Sequence, residues 1–88
     1  MAIKSSTTRP MARSGIAALN AAARRNQRNG ASGADAVIDA AKAAQLNYVR
    51  EEGTVRLYRS RRGALVVAWL EGAQGGAGFD DQIGIFNE

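Results

Sequence analysis

The sequence predicts an α+β fold in which two helices precede a three- to four-stranded antiparallel β-meander. Three observations support this. Alanine and other helix formers dominate the first half of the 88 residues, β-branched and aromatic residues gather after residue 47, and short glycine-containing turns separate the later apolar runs. Because the helical segments come first and the strands follow, we expect the second helix to pack on one face of the sheet.

The first thirty residues are predicted to form a basic, partly flexible N-terminal arm that contains a helix over residues 14–29. The start of the arm is polar and interrupted by Pro10, so it has little apolar surface to offset the entropy of ordering. The helix is rich in alanine, but its large apolar side chains are only Ile16 and Leu19. We therefore expect this first helix to be weakly docked.

Residues 31–88 are predicted to form a small α+β domain that begins with the stronger of the two helices. Ser32 followed by Asp35 matches a capping box with Asp in place of Glu. Val37 and Ala41 recur at helical spacing, and the acidic residues fall on the opposite side. This segment is expected to be amphipathic and to bury its apolar side against the sheet.

Four strands are predicted in the second half of the chain: Tyr48–Arg50, Thr54–Ser60, Ala64–Leu70 and Gln82–Phe86. Ala64–Leu70 is apolar on both of its faces, which is typical of a central strand. Glu51–Gly53 is expected to form a turn, and the glycine-rich segment Glu71–Asp81 a flexible connection. That segment lacks the Gly-Lys-Ser/Thr ending of a phosphate-binding loop and does not lie between a strand and a helix.

The net charge of +4 is divided unevenly along the chain. Residues 1–30 contain six basic residues and no acid, and residues 54–72 contain four arginines and one acid. Residues 31–53 carry −2, and the segment from residue 73 onward carries −3. A basic arm and a basic hairpin together indicate contact with phosphate groups or with an acidic partner.

The candidate binding residues share a basic or aromatic side chain in these two segments. They are Arg24, Arg25, Arg28, Arg56, Tyr58, Arg59, Arg61 and Arg62. Strand alternation places Arg56 with Tyr58 on one face and Arg59 on the other, so we expect the hairpin tip to be its most effective part. Trp69, the single tryptophan, is the expected core or interface anchor.

The composition argues against most enzyme classes. The chain has neither cysteine nor histidine, which excludes Cys/His zinc sites, Ser-His-Asp triads and histidine general bases. We predict no catalytic residue, no metal and no cofactor, and therefore no enzyme. The longest apolar run has seven residues, against about 20 for a membrane span, so we expect a soluble protein of the bacterial or infected-host cytoplasm without a membrane partner.

The sequence thus favours a small accessory protein that binds nucleic acid or a nucleoprotein complex through the arm and the arginine-rich hairpin. The alternative is a protein-binding module, such as a phage- or plasmid-borne inhibitor of a host defence complex or a small virion component. Its partner would be a host protein, or a second copy of the chain in a homodimer. The basic arm also fits a solubilising tail, an arm that enters a neighbouring subunit, or a transit peptide.

Overall fold

The computed structural model describes residues 10–70 and 77–81, and their arrangement confirms the predicted fold class. The elements are α1 (Arg13–Arg28), α2 (Gly33–Ala43), β1 (Asn47–Glu52), β2 (Val55–Arg59), β3 (Leu65–Trp69) and β4 (Gly78–Asp80). All strand pairs are antiparallel, and the strands follow one another across the sheet in chain order. The two helices lie on one face of this meander.

Helix α1 agrees with the predicted helix to within one residue at each end, but it contributes more to the core than its sequence indicates. Leu19 and Ala23 are buried in the same cluster as α2 and the sheet. At its C-terminal end, the Nδ2 of Asn26 donates to the Ala36 carbonyl of α2 at 3.0 Å. The alanines of α1 bring the two helix backbones close together, so the helix docks through small side chains.

Helix α2 begins at the predicted cap. The Ser32 Oγ accepts a hydrogen bond from the Asp35 backbone N–H at 3.2 Å, which satisfies one of the free donors at the helix start. Val37 and Ala41 are buried, as the spacing predicts, and Asp39 is exposed. The helix therefore presents its acidic side to solvent and its alanines to α1 and the sheet.

Strand β1 extends further than predicted, and the predicted turn over Glu51–Gly53 is wrong for its two glutamates but right for Gly53. Glu52 pairs with Val55, which leaves only Gly53 and Thr54 in the loop. Gly53 has a φ of 63°, and glycine at the first loop position is the arrangement favoured in tight two-residue hairpins. The ladder is thus two residue pairs longer at this end than β-propensity alone suggested, since both glutamates pair with β2.

The fourth strand is β4, at Gly78–Asp80, and it pairs with β3 from within the segment predicted as a flexible connection. The prediction that all of Glu71–Asp81 is a connection is therefore wrong for these three residues. The predicted strand Gln82–Phe86 lies outside the described residues, as do residues 1–9 of the predicted arm. The glycine content predicted a loop for this segment. Backbone pairing with the buried strand β3 instead holds Gly78–Asp80 as a strand, although these residues have low β-propensity.

The sheet is apolar on both faces at β3, which confirms the predicted central strand. On the helix side, Tyr58, Val66 and Ala68 join the core formed with α1 and α2. On the opposite side, Leu57, Leu65 and Val67 form a second buried cluster. Since β3 lies between β2 and β4 and contributes to both clusters, it is the structural centre of the described fold.

The side chain of Asn20 on α1 forms hydrogen bonds with the outer edge of β4. Its Nδ2 donates to the Phe79 carbonyl at 3.1 Å, and its Oδ1 accepts from the Phe79 backbone N–H at 2.8 Å. Both backbone groups of Phe79 on that edge are therefore satisfied by one side-chain amide, as a further strand would satisfy them. This contact links the first helix directly to the sheet.

Candidate functional site

The structure separates the predicted binding residues into four places, which are the end of α1, the hairpin tip and the two faces of β2. Arg24, Arg25 and Arg28 lie in the last two turns of α1, whereas Arg61 and Arg62 form the tip of the β2–β3 hairpin. The hairpin tip lies beside the start of α1, where it shares a groove with Met11 and Gly15. A helix rises about 1.5 Å per residue, so the two arginine groups are separated by roughly 13 Å or more along α1. They do not form one continuous patch.

The arginines at the end of α1 are all exposed. Arg24 and Arg28 are four residues apart and share a helix face, and Arg25 lies beside them. The helix contains no acidic residue, and among the described residues none of these three arginines makes an ion pair. Because Asn26 is bonded to α2, this end of the helix is held with its basic face outward. The helix dipole also stabilises these three arginines, because it favours positive charge near the C-terminus of a helix.

The hairpin tip is a well-defined turn. The Gly63 N–H donates to the Ser60 carbonyl at 2.9 Å, and the Ser60 Oγ accepts from the N–H groups of Arg62 and Ala64. Gly63 has a φ of 88°, a left-handed conformation that closes the three-residue loop without strain. Arg61 and Arg62 are both exposed on this rigid loop, as predicted.

Arg56 and Tyr58 lie on the same face of the sheet, as the alternation predicts, but that face is the one covered by the helices. Tyr58 is only 4% exposed, so its ring has no free face on which a base could stack. The exposed aromatic residue is its cross-strand neighbour Tyr48, which is 55% exposed and meets Tyr58 edge to face at a centroid distance of 6.2 Å. Tyr48 was not among the predicted binding residues, because it lies in a short flanking strand outside the basic segments.

Arg56 is held in place by three contacts. Its Nε donates to the Glu51 Oε1 at 2.7 Å, its Nη1 lies 3.4 Å from the Tyr58 hydroxyl, and its guanidinium lies 5.3 Å from the centre of the Tyr48 ring. The hydrogen bond with Tyr58 raises the pKa of Arg56 above its usual range, against a smaller lowering by burial. Its charge is thus permanent but already paired, which makes it a weaker phosphate ligand than the arginines of α1.

Arg59 and Trp69 lie on the face opposite the helices. Arg59 pairs with Leu65 across the β2–β3 ladder, and Trp69 pairs with Val55. Trp69 is partly buried and lies against Gly78 of β4, where a Cβ atom would come within 3.0 Å of the indole Cζ2. Its predicted role as a core or interface anchor stays a prediction.

No metal or membrane feature is found in the described part of the chain. Residues 10–70 and 77–81 contain no group of three or more carboxylate, histidine or cysteine side chains placed to hold a metal ion. In the same residues, neither helix combines the length and the apolar character needed to cross a membrane.

No family model matches this chain, and no similar curated protein or solved structure was found.

Proposed function

We propose that this protein binds the phosphate backbone of nucleic acid through the exposed face at the C-terminal end of α1. The observation that carries the proposal is the group formed by Arg24, Arg25 and Arg28, three exposed guanidinium groups within two helical turns that make no ion pair among the described residues. Guanidinium groups bind phosphate oxygens in bidentate fashion, and alanine neighbours let a backbone approach the helix closely. No base-reading arrangement accompanies them, so the binding is expected to be independent of sequence.

The charges on the neighbouring elements favour an approach of the nucleic acid from the side of α1. The outward face of α2 carries Asp35 and Asp39, which would repel phosphate, whereas α1 carries no acid. The same distribution argues against a duplex lying across both helices. The hairpin tip, which faces the other end of α1, is not required for this contact.

The test is the salt dependence of binding to a short DNA duplex, to single-stranded DNA and to an RNA of the same length. Each phosphate contact on duplex DNA contributes a slope of about 0.9 in a log–log plot of affinity against salt, so three arginines contribute about 2.7. Replacement of Arg24, Arg25 and Arg28 by glutamine is expected to remove that part of the slope. The exposed positions should leave thermal stability nearly unchanged.

A matched control removes three positive charges elsewhere, with Arg50, Arg61 and Arg62 replaced by glutamine. This control should retain most of the slope, which separates a defined site from a general effect of net charge. An equal loss in both triple variants, or a flat salt dependence for the unaltered protein, would contradict the proposal. Deletion of residues 1–30 is unsuitable as a test because it would also remove Leu19 and Ala23 from the core.

A second candidate function, a protein-binding module, is favoured by a different observation. Tyr48 and Val49 are 55% and 41% exposed on the outermost strand, and Arg56 is fixed beside the Tyr48 ring. An exposed tyrosine with a partly buried arginine fixed beside its ring is typical of the residues that dominate protein interfaces. On this proposal the partner is a host protein, as expected of a phage- or plasmid-borne inhibitor, or a second copy of the chain.

The two candidates predict opposite outcomes for Tyr48→Ala. A protein-binding module should lose its partner in a pull-down analysed by mass spectrometry, and a homodimer should dissociate in sedimentation analysis. Nucleic-acid affinity should be unchanged if α1 carries that function. Retention of the partner by Tyr48→Ala would count against the β1 surface as an interface.

A further inference from the structure

Two adjoining depressions form a groove along α1, from the hairpin tip to the middle of the helix. Its wider part, of about 580 Å³, lies between the start of α1 and the loop that carries Arg61 and Arg62. Its narrower part, of about 290 Å³, continues between α1 and the end of α2. The two parts share Met11, Gly15, Ala44 and Ser60 as lining residues. Their combined size lies within the range of small-molecule sites, about 300–1,000 Å³.

The narrow part of the groove is almost entirely apolar. Met11, Leu19 and Leu46 line it together with alanines from both helices, and Ser60 at the junction is its only polar side chain among the described residues. The groove exists because alanine and glycine occupy positions where larger side chains would fill the space between the helices. Apart from Ser60, the described residues offer no side chain there that could satisfy the N–H and C=O groups of a peptide backbone, whereas an acyl chain has no such groups to satisfy.

The wide part of the groove ends at two arginines. Arg61 is oriented by Gln45, whose Oε1 accepts from the Arg61 Nη1 at 2.6 Å. Gln45 has a φ of 60°, a left-handed conformation that glycine usually adopts after a helix. Gln45 thus occupies a strained backbone position that glycine would adopt without strain, and its side chain holds the Arg61 guanidinium at the rim of the groove.

The charge of the groove is of one sign. No acidic residue in the described part of the chain lines either of its two parts. Two guanidinium groups lie at one end, and they would compensate a carboxylate but would repel an amine or an ammonium group. An apolar channel with cations at one mouth is therefore complementary to a chain that is apolar along its length and anionic at one end.

We propose that this groove binds a medium-chain fatty carboxylate, with the acyl chain between α1 and α2 and the carboxylate at Arg61 and Arg62. The site is separate from the arginines at the C-terminal end of α1, so it does not depend on the proposed nucleic-acid function.

The test is a titration of the isotope-labelled full chain with decanoate, followed by amide NMR shifts and kept below the concentration at which decanoate forms micelles. Shifts should concentrate at Gly15, Ala18, Ala44 and the loop from Ser60 to Gly63. Decanol and decyltrimethylammonium have the same chain without the negative charge, and butyrate has the charge without the chain. All three controls are expected to bind at least about tenfold more weakly, the factor that corresponds to one charge-assisted contact or a few buried methylenes.

Variants then assign the two ends of the ligand. Arg61→Gln and Arg62→Gln should each weaken decanoate binding about tenfold, and Ala18→Leu should block the acyl channel. Arg50→Gln, which removes a charge from β1, should bind as the unaltered protein does. Thermal melting of each variant confirms that the fold is retained, and if Ala18→Leu fails to fold, the two arginine variants decide the matter.

Three sets of results would overturn the proposal. Equal binding of decanoate and decyltrimethylammonium would show that the groove does not select an anion. Shifts confined to the opposite sheet face around Leu57 and Val67, or no shifts at all, would show that the groove is not the site. Selective binding of an acidic peptide with no response to decanoate would likewise replace the fatty-acid proposal by a protein partner.

Discussion

Replacement of Asn20 by alanine tests whether one side-chain amide holds the edge of the sheet against the first helix. The Asn20 amide makes two hydrogen bonds to Phe79, at 3.1 and 2.8 Å, in a partly buried setting. Each is worth about 1 kcal/mol net, and alanine regains at most about 0.7 kcal/mol as a better helix former. We therefore expect Asn20→Ala to lower the free energy of unfolding by about 1.5 kcal/mol.

The assay is urea-induced unfolding combined with hydrogen exchange at the Phe79 amide. With a urea dependence of about 1 kcal/mol per molar, the midpoint should fall by about 1.5 M, and the Phe79 N–H should lose much of its protection. Ala21→Asn is the matched control, because it places asparagine at an exposed position of the same helix and so measures the helix propensity difference alone. The reasoning is refuted if Asn20→Ala is as stable as the unaltered chain and the Phe79 amide stays protected.

Asn20→Asp adds a pH-dependent form of the same test. The introduced carboxylate can still accept from the Phe79 N–H, but its second oxygen faces the Phe79 carbonyl, which accepts a hydrogen bond from the Asn20 Nδ2 in the unaltered chain. Folding should therefore raise the pKa of the introduced carboxyl, because the protonated form can donate to that carbonyl. A group whose pKa is raised by folding stabilises the protein at a pH below its pKa in the unfolded chain, and this stabilisation is lost as the pH rises through its pKa in the folded protein. The stability that Asn20→Asp loses relative to the unaltered chain should therefore be smaller in acid than at neutral pH.

Two further substitutions test backbone positions. Gln45→Gly should raise the melting temperature by several degrees, because it removes a left-handed strain of about 1 kcal/mol, while it releases Arg61 from its contact at the groove. Gly78→Ala should lower the free energy of unfolding, measured in urea, by more than about 2 kcal/mol. The new Cβ would lie 3.0 Å from Trp69 and closer still to the Asn20 side chain of α1. Gly33→Ala is its control, because a Cβ there meets only ordinary contact at 3.5 Å and should be neutral or stabilising.

The order and type of the elements could be predicted because they depend on local chemistry. Alanine content gives α1, the Ser32 cap starts α2, and the alternation of Arg56 and Tyr58 with apolar neighbours gives the faces of β2 correctly. The exposed arginine tip could be predicted for the same reason, since Gly63 marks the turn that presents it. Short strands were less predictable, because β4 is specified by its pairing with β3 rather than by its own glycine-rich sequence.

The composition of the site depended on which sheet face the helices cover. Strand β3 is apolar on both sides, so no local pattern distinguishes the face of Val66 and Ala68 from the face of Leu65 and Val67. The helices lie on the first of these, and that choice buries Tyr58. Tyr58, which strand alternation assigned to a basic patch, is therefore a core residue. Alternation defines the two faces of a strand but does not determine which of them faces water.

The sequence by itself determined the helix–helix–strand order, the capped second helix, the doubly apolar central strand and the uneven division of charge. Tertiary structure alone decided that α1 belongs to the core, that Asn20 completes the edge of β4, and that the two arginine groups lie at opposite ends of one helix. The physical reason is the range of the interactions. Caps, turns and propensities act within about four residues, whereas the Asn20–Phe79 contact spans 59 positions and exists only once helix and sheet have packed together.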